Sequence, residues 1–225
     1  MPDFDSKVNS YLEPSEVRCL IDAVPHVSRY PVRDALLLEI LWQSGTRVSE
    51  AVTMLPERVG QTSILFTNLK QYKRLKRDGK TIRISNPKAI KEVEVTEALC
   101  IAIKEWIKEQ KIEPGQWVFP GRFKGHHLSR MYVWSLMNKA GDYAQISRRG
   151  KAHPRTGARY KSPSPHALRH SCAMFLLDST GNLSVVGQQL GHSDPKSTQI
   201  YAWLKPARIK RLIREMDWEQ RKEKE

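Results

Sequence analysis

Apolar residues recur at helical spacing over most of this 225-residue chain, and at strand spacing only in its middle. Residues 14–24 predict a first helix, with Pro14 suited to its start. Residues 33–43 are apolar nearly all round, which predicts a buried helix, and Gly45 suits its stop. Thr46 is placed to cap the next helix, whose Val48, Ala51, Val52 and Leu55 keep helical spacing up to Pro56. Arg47 then falls in a first helical turn, where unpaired amides favour a phosphate. The middle is strand-like: residues 63–67, 81–85 and 91–96 are short. Ile82 and Ile84 alternate on one face, as do Val93 and Val95, and residues 86–90 read as a turn between the last two strands.

Helical spacing returns at residues 97–111, with Leu99, Ile103, Trp106 and Ile107 on one stripe. Leu128 and Ser129 open another helix, carrying Val133, Leu136, Met137 and Ala140. Ser164 and Pro165 start a helix over 166–178. Its Leu168, Cys172, Phe175 and Leu176 read as a core stripe, while His166 and Arg169, three apart, share another face. Leu183, Val186 and Leu190 pack a short helix that Gly191 ends, and Asp194-Pro195 can start the one that carries Tyr201. Pro206 opens a last helix with Ile209, Leu212, Ile213 and Met216 in register. The pattern predicts one mainly α (α+β) domain over residues 1–225, with a small three-stranded antiparallel sheet.

Charge narrows the partner. A net charge of +14 suits a polyanion, although it fits RNA binders and peripheral membrane proteins as well. Two stretches concentrate it. Lys70, Lys73, Arg74, Lys76, Arg77 and Lys80 stand against Asp78 alone, and Arg148, Arg149, Lys151, Arg155, Arg159 and Lys161 have no acid among them. Both read as contacts to DNA phosphates. The three cysteines, Cys19, Cys100 and Cys172, are far apart and lack metal-ligand spacing, so packed thiols in a reduced, cytoplasmic protein are expected and no metal site. The first residues carry neither a basic nor an apolar signal region. The longest apolar stretch, 35–42, is interrupted by Glu39 and is too short to span a bilayer.

Candidate chemistry lies in four boxes. Arg47 stands in Ser44-Gly-Thr-Arg47-Val-Ser-Glu50; His166 and Arg169 stand in His166-Ala-Leu-Arg169-His170-Ser; His192 ends Gln189-Leu-Gly-His192; Tyr201 follows nine residues later. Two arginines, two histidines and a late tyrosine are what phosphodiester cleavage by a phenol requires: positive charge for the transition state, a proton path and a nucleophile. Alone, each has a plain alternative, such as a surface arginine paired with a glutamate or a tyrosine that fills a core.

In this order the boxes resemble the catalytic domain of tyrosine recombinases, the phage-integrase family, from about residue 12 to 212. The resemblance implies that Tyr201 attacks the scissile phosphate, leaving a 3′-phosphotyrosyl link and a free 5′-hydroxyl. It implies that Arg47 and Arg169 hold phosphate oxygens, that His166 takes the phenol proton and that His192 hydrogen-bonds the phosphate. It also implies a lysine on a small hairpin that protonates the leaving oxygen; the alignment favours Lys88, with Lys91 the alternate. Neither ATP nor a metal is implied, so no cofactor is expected. The partner is double-stranded DNA, with self-association into a tetrameric synapse; residues 206–225 dock either on a neighbouring copy or on their own domain. Most family members carry an N-terminal clamp domain, and residues 1–46 leave no room for one, so a short branch or a fragment is expected. A type IB topoisomerase and an inactive DNA-binding accessory protein are the rival readings.

Overall fold

The computed structural model describes residues 11–67, 72–77, 80–85, 90–146, 148–149, 160–161, 163–191 and 198; the segments 72–77, 80–85, 148–149 and 160–161 are described by backbone alone. Eight α-helices are described, α1 (Pro14–Asp22), α2 (Val24–Val27), α3 (Pro31–Ser44), α4 (Val48–Val52), α5 (Glu97–Glu109), α6 (Arg130–Tyr143), α7 (Pro165–Thr180) and α8 (Leu183–Leu190), with a 3-10 turn at Pro56–Arg58. The strands are β1 (Ser63–Thr67), β2 (Tyr72–Arg77), β3 (Lys80–Ser85), β4 (Ile90–Glu94), β5 (Arg148–Arg149) and β6 (Tyr160–Lys161). The chain is mostly helical with a small antiparallel β component, as the spacing predicts.

The buried helix is α3. Leu37, Leu38, Ile40 and Leu41 are fully buried, and four such residues within five positions point to more than one side of a helix, so α3 has neighbours around it. It packs on α1, α2, α5 and, most extensively, α7. The first helix stops at Asp22 rather than 24 because Pro25, which has no N–H, opens α2 at its second position. At the far end of α3, Gly45 takes the left-handed backbone (φ 56°). A Cβ there would lie 2.6 Å from Leu190 Cδ2 and 3.0 Å from Cys172 Sγ, so glycine is what lets α7 and α8 close on the end of α3.

Three local expectations are corrected. Arg47, not Thr46, occupies the N-cap position of α4, because Glu50 accepts from the Arg47 backbone N–H and from the Thr46 hydroxyl at once. On α7, Phe175 is about half exposed and tilts against Trp42, while Leu177 takes the inward position. Cys19 is exposed, whereas Cys100 and Cys172 are buried as expected.

The sheet also differs. Among the described residues every strand has one partner: β1 pairs with β4, β2 with β3 and β5 with β6, all antiparallel. The strand at 81–85 was expected to pair with 91–96 across a turn. It pairs instead with Tyr72–Arg77, a stretch whose basic residues mask its strand character, so β2 and β3 form a ladder inserted between β1 and β4. In the β1–β4 ladder, Ile64 and Phe66 on one strand and Val93 on the other are buried against the helices.

Among the described residues no helix is long and apolar enough to cross a membrane.

Candidate active site

Four elements converge at the end of α3. The turn after Gly45 supplies Thr46 and Arg47, α4 supplies Glu50, β4 supplies Lys91 and α7 supplies His166 and Arg169. Glu50 is the hub, with its side chain fully buried. Its Oε1 accepts from Arg47 Nη1 at 3.0 Å. Its Oε2 accepts from the Thr46 hydroxyl at 2.8 Å and from the Arg47 backbone N–H at 3.2 Å, and lies 3.0 Å from Lys91 Nζ. A buried carboxylate must be paired and hydrogen-bonded, and this one is both.

Lys91 reaches Glu50 because of strand parity. Residues 91 and 93 share a face of β4, and Val93 is buried on it, so Lys91 is aimed inward rather than into solvent. Its stem passes Phe66, with Nζ 5.8 Å from the ring centre, and Nζ also lies 3.4 Å from the Leu190 carbonyl oxygen. Burial lowers the Lys91 ammonium below its ordinary value, although Glu50 works against that. Burial works to raise Glu50, but the Lys91 charge and the hydrogen bonds from Lys91, Thr46 and Arg47 bring it below its ordinary value. The carboxylate is thus held ionised beside a lysine made more acidic.

Arg169, only 5% exposed, is anchored by backbone. Its Nη1 donates to the Gly45 carbonyl, and Nη2 donates to that of Leu190 at 3.1 Å. These carbonyls lie at the ends of α3 and α8, where negative backbone partial charge meets a cation favourably. His166, on the first turn of α7, is exposed. His170 lies one turn on, with the two rings 6.3 Å apart. Burial lowers His170 to about 4, with His166 and Arg169 adding to the effect, so it is neutral at physiological pH.

A cleft of about 1150 Å³ opens at Arg47 and Glu50, lined by these two and His166 together with Arg130, Met131 and Trp134 of α6. Arg47, Lys91 and Arg169 against the single carboxylate of Glu50 leave the described cluster with excess positive charge. That suits an anion at its surface. No group of three or more His, Cys, Asp or Glu residues that could hold a metal occurs among the described residues. Cys172, beside the cluster, is no nucleophile at neutral pH, since burial pushes its thiol up to about 12.

Of the residues singled out in the sequence, Arg47, His166 and Arg169 therefore come to one site. Lys88, His192 and Tyr201 lie outside the described residues, as do Lys70, Lys151, Arg155, Arg159 and the 206–225 tail. Lys73, Arg74, Lys76, Arg77 and Lys80 lie on the β2–β3 ladder, and Arg148, Arg149 and Lys161 on β5–β6, each by backbone only. Sequence reasoning placed Lys91 second to Lys88; its parity with Val93 and Val95 was the signal for an inward position. The α6 wall of the cleft had no comparable signal, since Met131 and Trp134 read as helix residues like any others.

The Phage integrase family model matches residues 10–208, a span that holds every element of this cluster. The chain belongs to that family. Among curated relatives it is 27% identical over 214 residues to the tyrosine recombinase XerD of Staphylococcus saprophyticus, covering 95% of this chain and 64% of that one. It is 30% identical over 190 residues to the XerD of Corynebacterium glutamicum, covering 83% and 54%. The chain thus spans less than two thirds of these relatives. Among solved structures, a XerH site-specific recombinase in a post-cleavage complex with palindromic difH substrate aligns with a TM-score of 0.68 at 18% identity, over 92% of this chain and 53% of that one. XerA recombinase aligns at 0.66 and 19%, over 92% and 64%. The catalytic domain of bacteriophage HP1 integrase aligns at 0.53 and 23%, over 91% and 94%. These likenesses agree on the fold, a tyrosine recombinase catalytic domain.

Proposed function

We propose that this chain cuts and rejoins duplex DNA as a site-specific recombinase, through a 3′-phosphotyrosine intermediate. The observation that carries the reading is the Arg47–Glu50–Lys91–Arg169 cluster, built from four elements beside a cleft that Arg47, Glu50 and His166 line. Family membership supports it, and the relatives' names favour strand exchange over relaxation of one duplex.

In this reading the scissile phosphate sits on the positive cluster. Arg47 and Arg169 neutralise its non-bridging oxygens as charge builds in the transition state. The phenol of Tyr201 loses its proton to His166, its oxygen bonds to phosphorus and the bond from phosphorus to the 5′-oxygen breaks. That oxygen leaves as a hydroxyl after taking a proton from a lysine. Lys91 suits the role by position: it is held at the cluster and its ammonium is more acidic than usual. Lys88 is the other candidate. His192 hydrogen-bonds the phosphate. A 5′-hydroxyl from a second duplex then reverses the step, so the bond energy is conserved and no nucleotide cofactor takes part.

The basic stretches at 70–80 and 147–162 position the duplex through its phosphates. Copies of the chain associate on DNA as a tetrameric synapse, with residues 206–225 as the connecting element. The test is a duplex nicked just 3′ of the target phosphate, from which the short piece that carries the freed 5′-hydroxyl is lost on cleavage. This reading expects a protein–DNA adduct that survives denaturation. Cleavage without an adduct contradicts it.

A further inference from the structure

We propose that Gly191 is a positioning residue for Lys91, its bare Cα leaving the space through which the lysine stem reaches Glu50. The proposal rests on the reading of Lys91 as the proton donor to the leaving 5′-oxygen.

Gly191 is the residue that ends α8, in the left-handed region at φ +63°. That backbone favours glycine but also admits asparagine, so it does not by itself demand the absence of a side chain. The neighbour does. A Cβ at Gly191 would lie 2.6 Å from Lys91 Cδ, far inside contact distance, and 3.7 Å from Lys91 Cβ and Cε. A long side chain in open solvent could swing aside. This one is confined: its side chain is 9% exposed, Nζ lies 3.0 Å from Glu50 Oε2 and 3.4 Å from Leu190 O, and the stem runs beside Phe66. Moving Cδ away from a Cβ pulls Nζ off at least one of those oxygens.

The same peptide unit serves both cations. The Leu190 carbonyl accepts from Arg169 Nη2 and lies within reach of Lys91 Nζ, while Gly191 makes room for the lysine stem. The end of α8 is fixed against the strand that carries Lys91, because Gln189 Nε2 donates to Glu94 O at 2.6 Å and to Gln43 O at 3.2 Å. Val186 and Leu190, both fully buried, hold the helix from its other face. The glycine and the lysine are 100 positions apart in sequence and are brought together by this docking of α8 on β4.

The experiment measures single-turnover cleavage by Gly191→Ala, Lys91→Ala and the double variant. Two substrates are used, one with the ordinary 5′-oxygen and one with sulfur in its place, because a thiolate leaves without an acid. Gly191→Ala is expected to slow cleavage of the oxygen substrate by roughly 10–10²-fold, to recover on the sulfur substrate, and to bind DNA as the parent does. In the Lys91→Ala background the same change is expected to have less than about a twofold effect, since the group it acts through is gone. A displaced Arg169 would not be rescued by sulfur. Gly115→Ala is the control for the left-handed backbone, at φ +80° with nothing within 4 Å. Equal slowing on both substrates, or losses that multiply in the double variant, overturns the proposal. Failure of Lys91→Ala to recover on sulfur sinks the proton-donor reading instead, and the double variant still judges the coupling. If Gly191→Ala does not fold, Gly191→Asn tolerates the backbone and carries the same Cβ. If the double variant also fails to fold, the glycine serves the fold and the proposal is wrong.

Discussion

Lys91 Nζ lies 3.0 Å from Glu50 Oε2, on a carboxylate whose other oxygen accepts from Arg47. One buried anion therefore positions two cations, of which Arg47 lines the cleft. Burial lowers the Lys91 ammonium below its ordinary value and the Glu50 carboxylate opposes that, so Glu50 limits how far the lysine is made more acidic.

Glu50→Gln removes the charge and keeps the shape. Breaking a buried pair by removing one partner costs about 3 kcal/mol or more, so a denaturation curve should show a loss of that order. Lys91 also loses the interaction that raises it, so the alkaline limb of the cleavage pH profile moves to lower pH. An unmoved limb and a stability loss below about 1 kcal/mol would show that the pair does not govern Lys91.

Arg169 ties the end of α3 to the end of α8 through two carbonyls. Arg169→Ala should lower single-turnover cleavage by roughly 10²–10³-fold and also destabilise the fold, by about 1.5–3 kcal/mol per charged hydrogen bond lost. Arg47→Ala should show a cleavage loss of the same order. For either residue, a loss smaller than about tenfold would remove it from the phosphate clamp.

His170 couples the site to pH. Its folded value is about 4 against an ordinary 6.5, so between those values the unfolded chain binds more protons than the folded one. The stability that neutral His170 allows is complete above pH 6.5 and falls as pH drops through 6.5 towards 4, by up to about 3 kcal/mol. His170→Asn should flatten that part of the stability curve relative to the parent. Parallel curves for the two proteins would mean that His170 is not held neutral.

The boxes of the site were legible because each is local: Arg47 and Glu50 are three apart, and Arg169 follows His166 by one helical turn. The stops at Gly45 and Gly191 and the cap at Ser129 were legible for the same reason, since backbone chemistry over a few residues decides them. What the sequence hid is long-range. Lys91 meets the Leu190 carbonyl across 99 positions, and Arg169 meets that of Gly45 across 124. Backbone carbonyls carry no residue signature, so no motif announces them. The β2–β3 ladder was hidden for another reason: in Tyr72–Arg77 lysine and arginine fall on both faces, which leaves no alternation to read.

Charge supplied by arginine and lysine leaves no step for a metal, so cleavage in EDTA should match cleavage in Mg²⁺ within about twofold. DNA binding should weaken steeply with salt, with a log–log slope of about −0.9 per phosphate neutralised. Strict dependence on a divalent ion would contradict the charge assignment, and a flat salt response would contradict the phosphate contacts assigned to the two basic stretches.

The central claim is that a phenol at position 201 holds the cut strand. The direct measurement is covalent adduct on the nicked duplex for the parent and for Tyr201→Phe, each checked for DNA binding. The account predicts adduct with the parent and none with Tyr201→Phe, with binding unchanged. Adduct from Tyr201→Phe at the parental level would contradict it and move the search to Tyr143 or Tyr160.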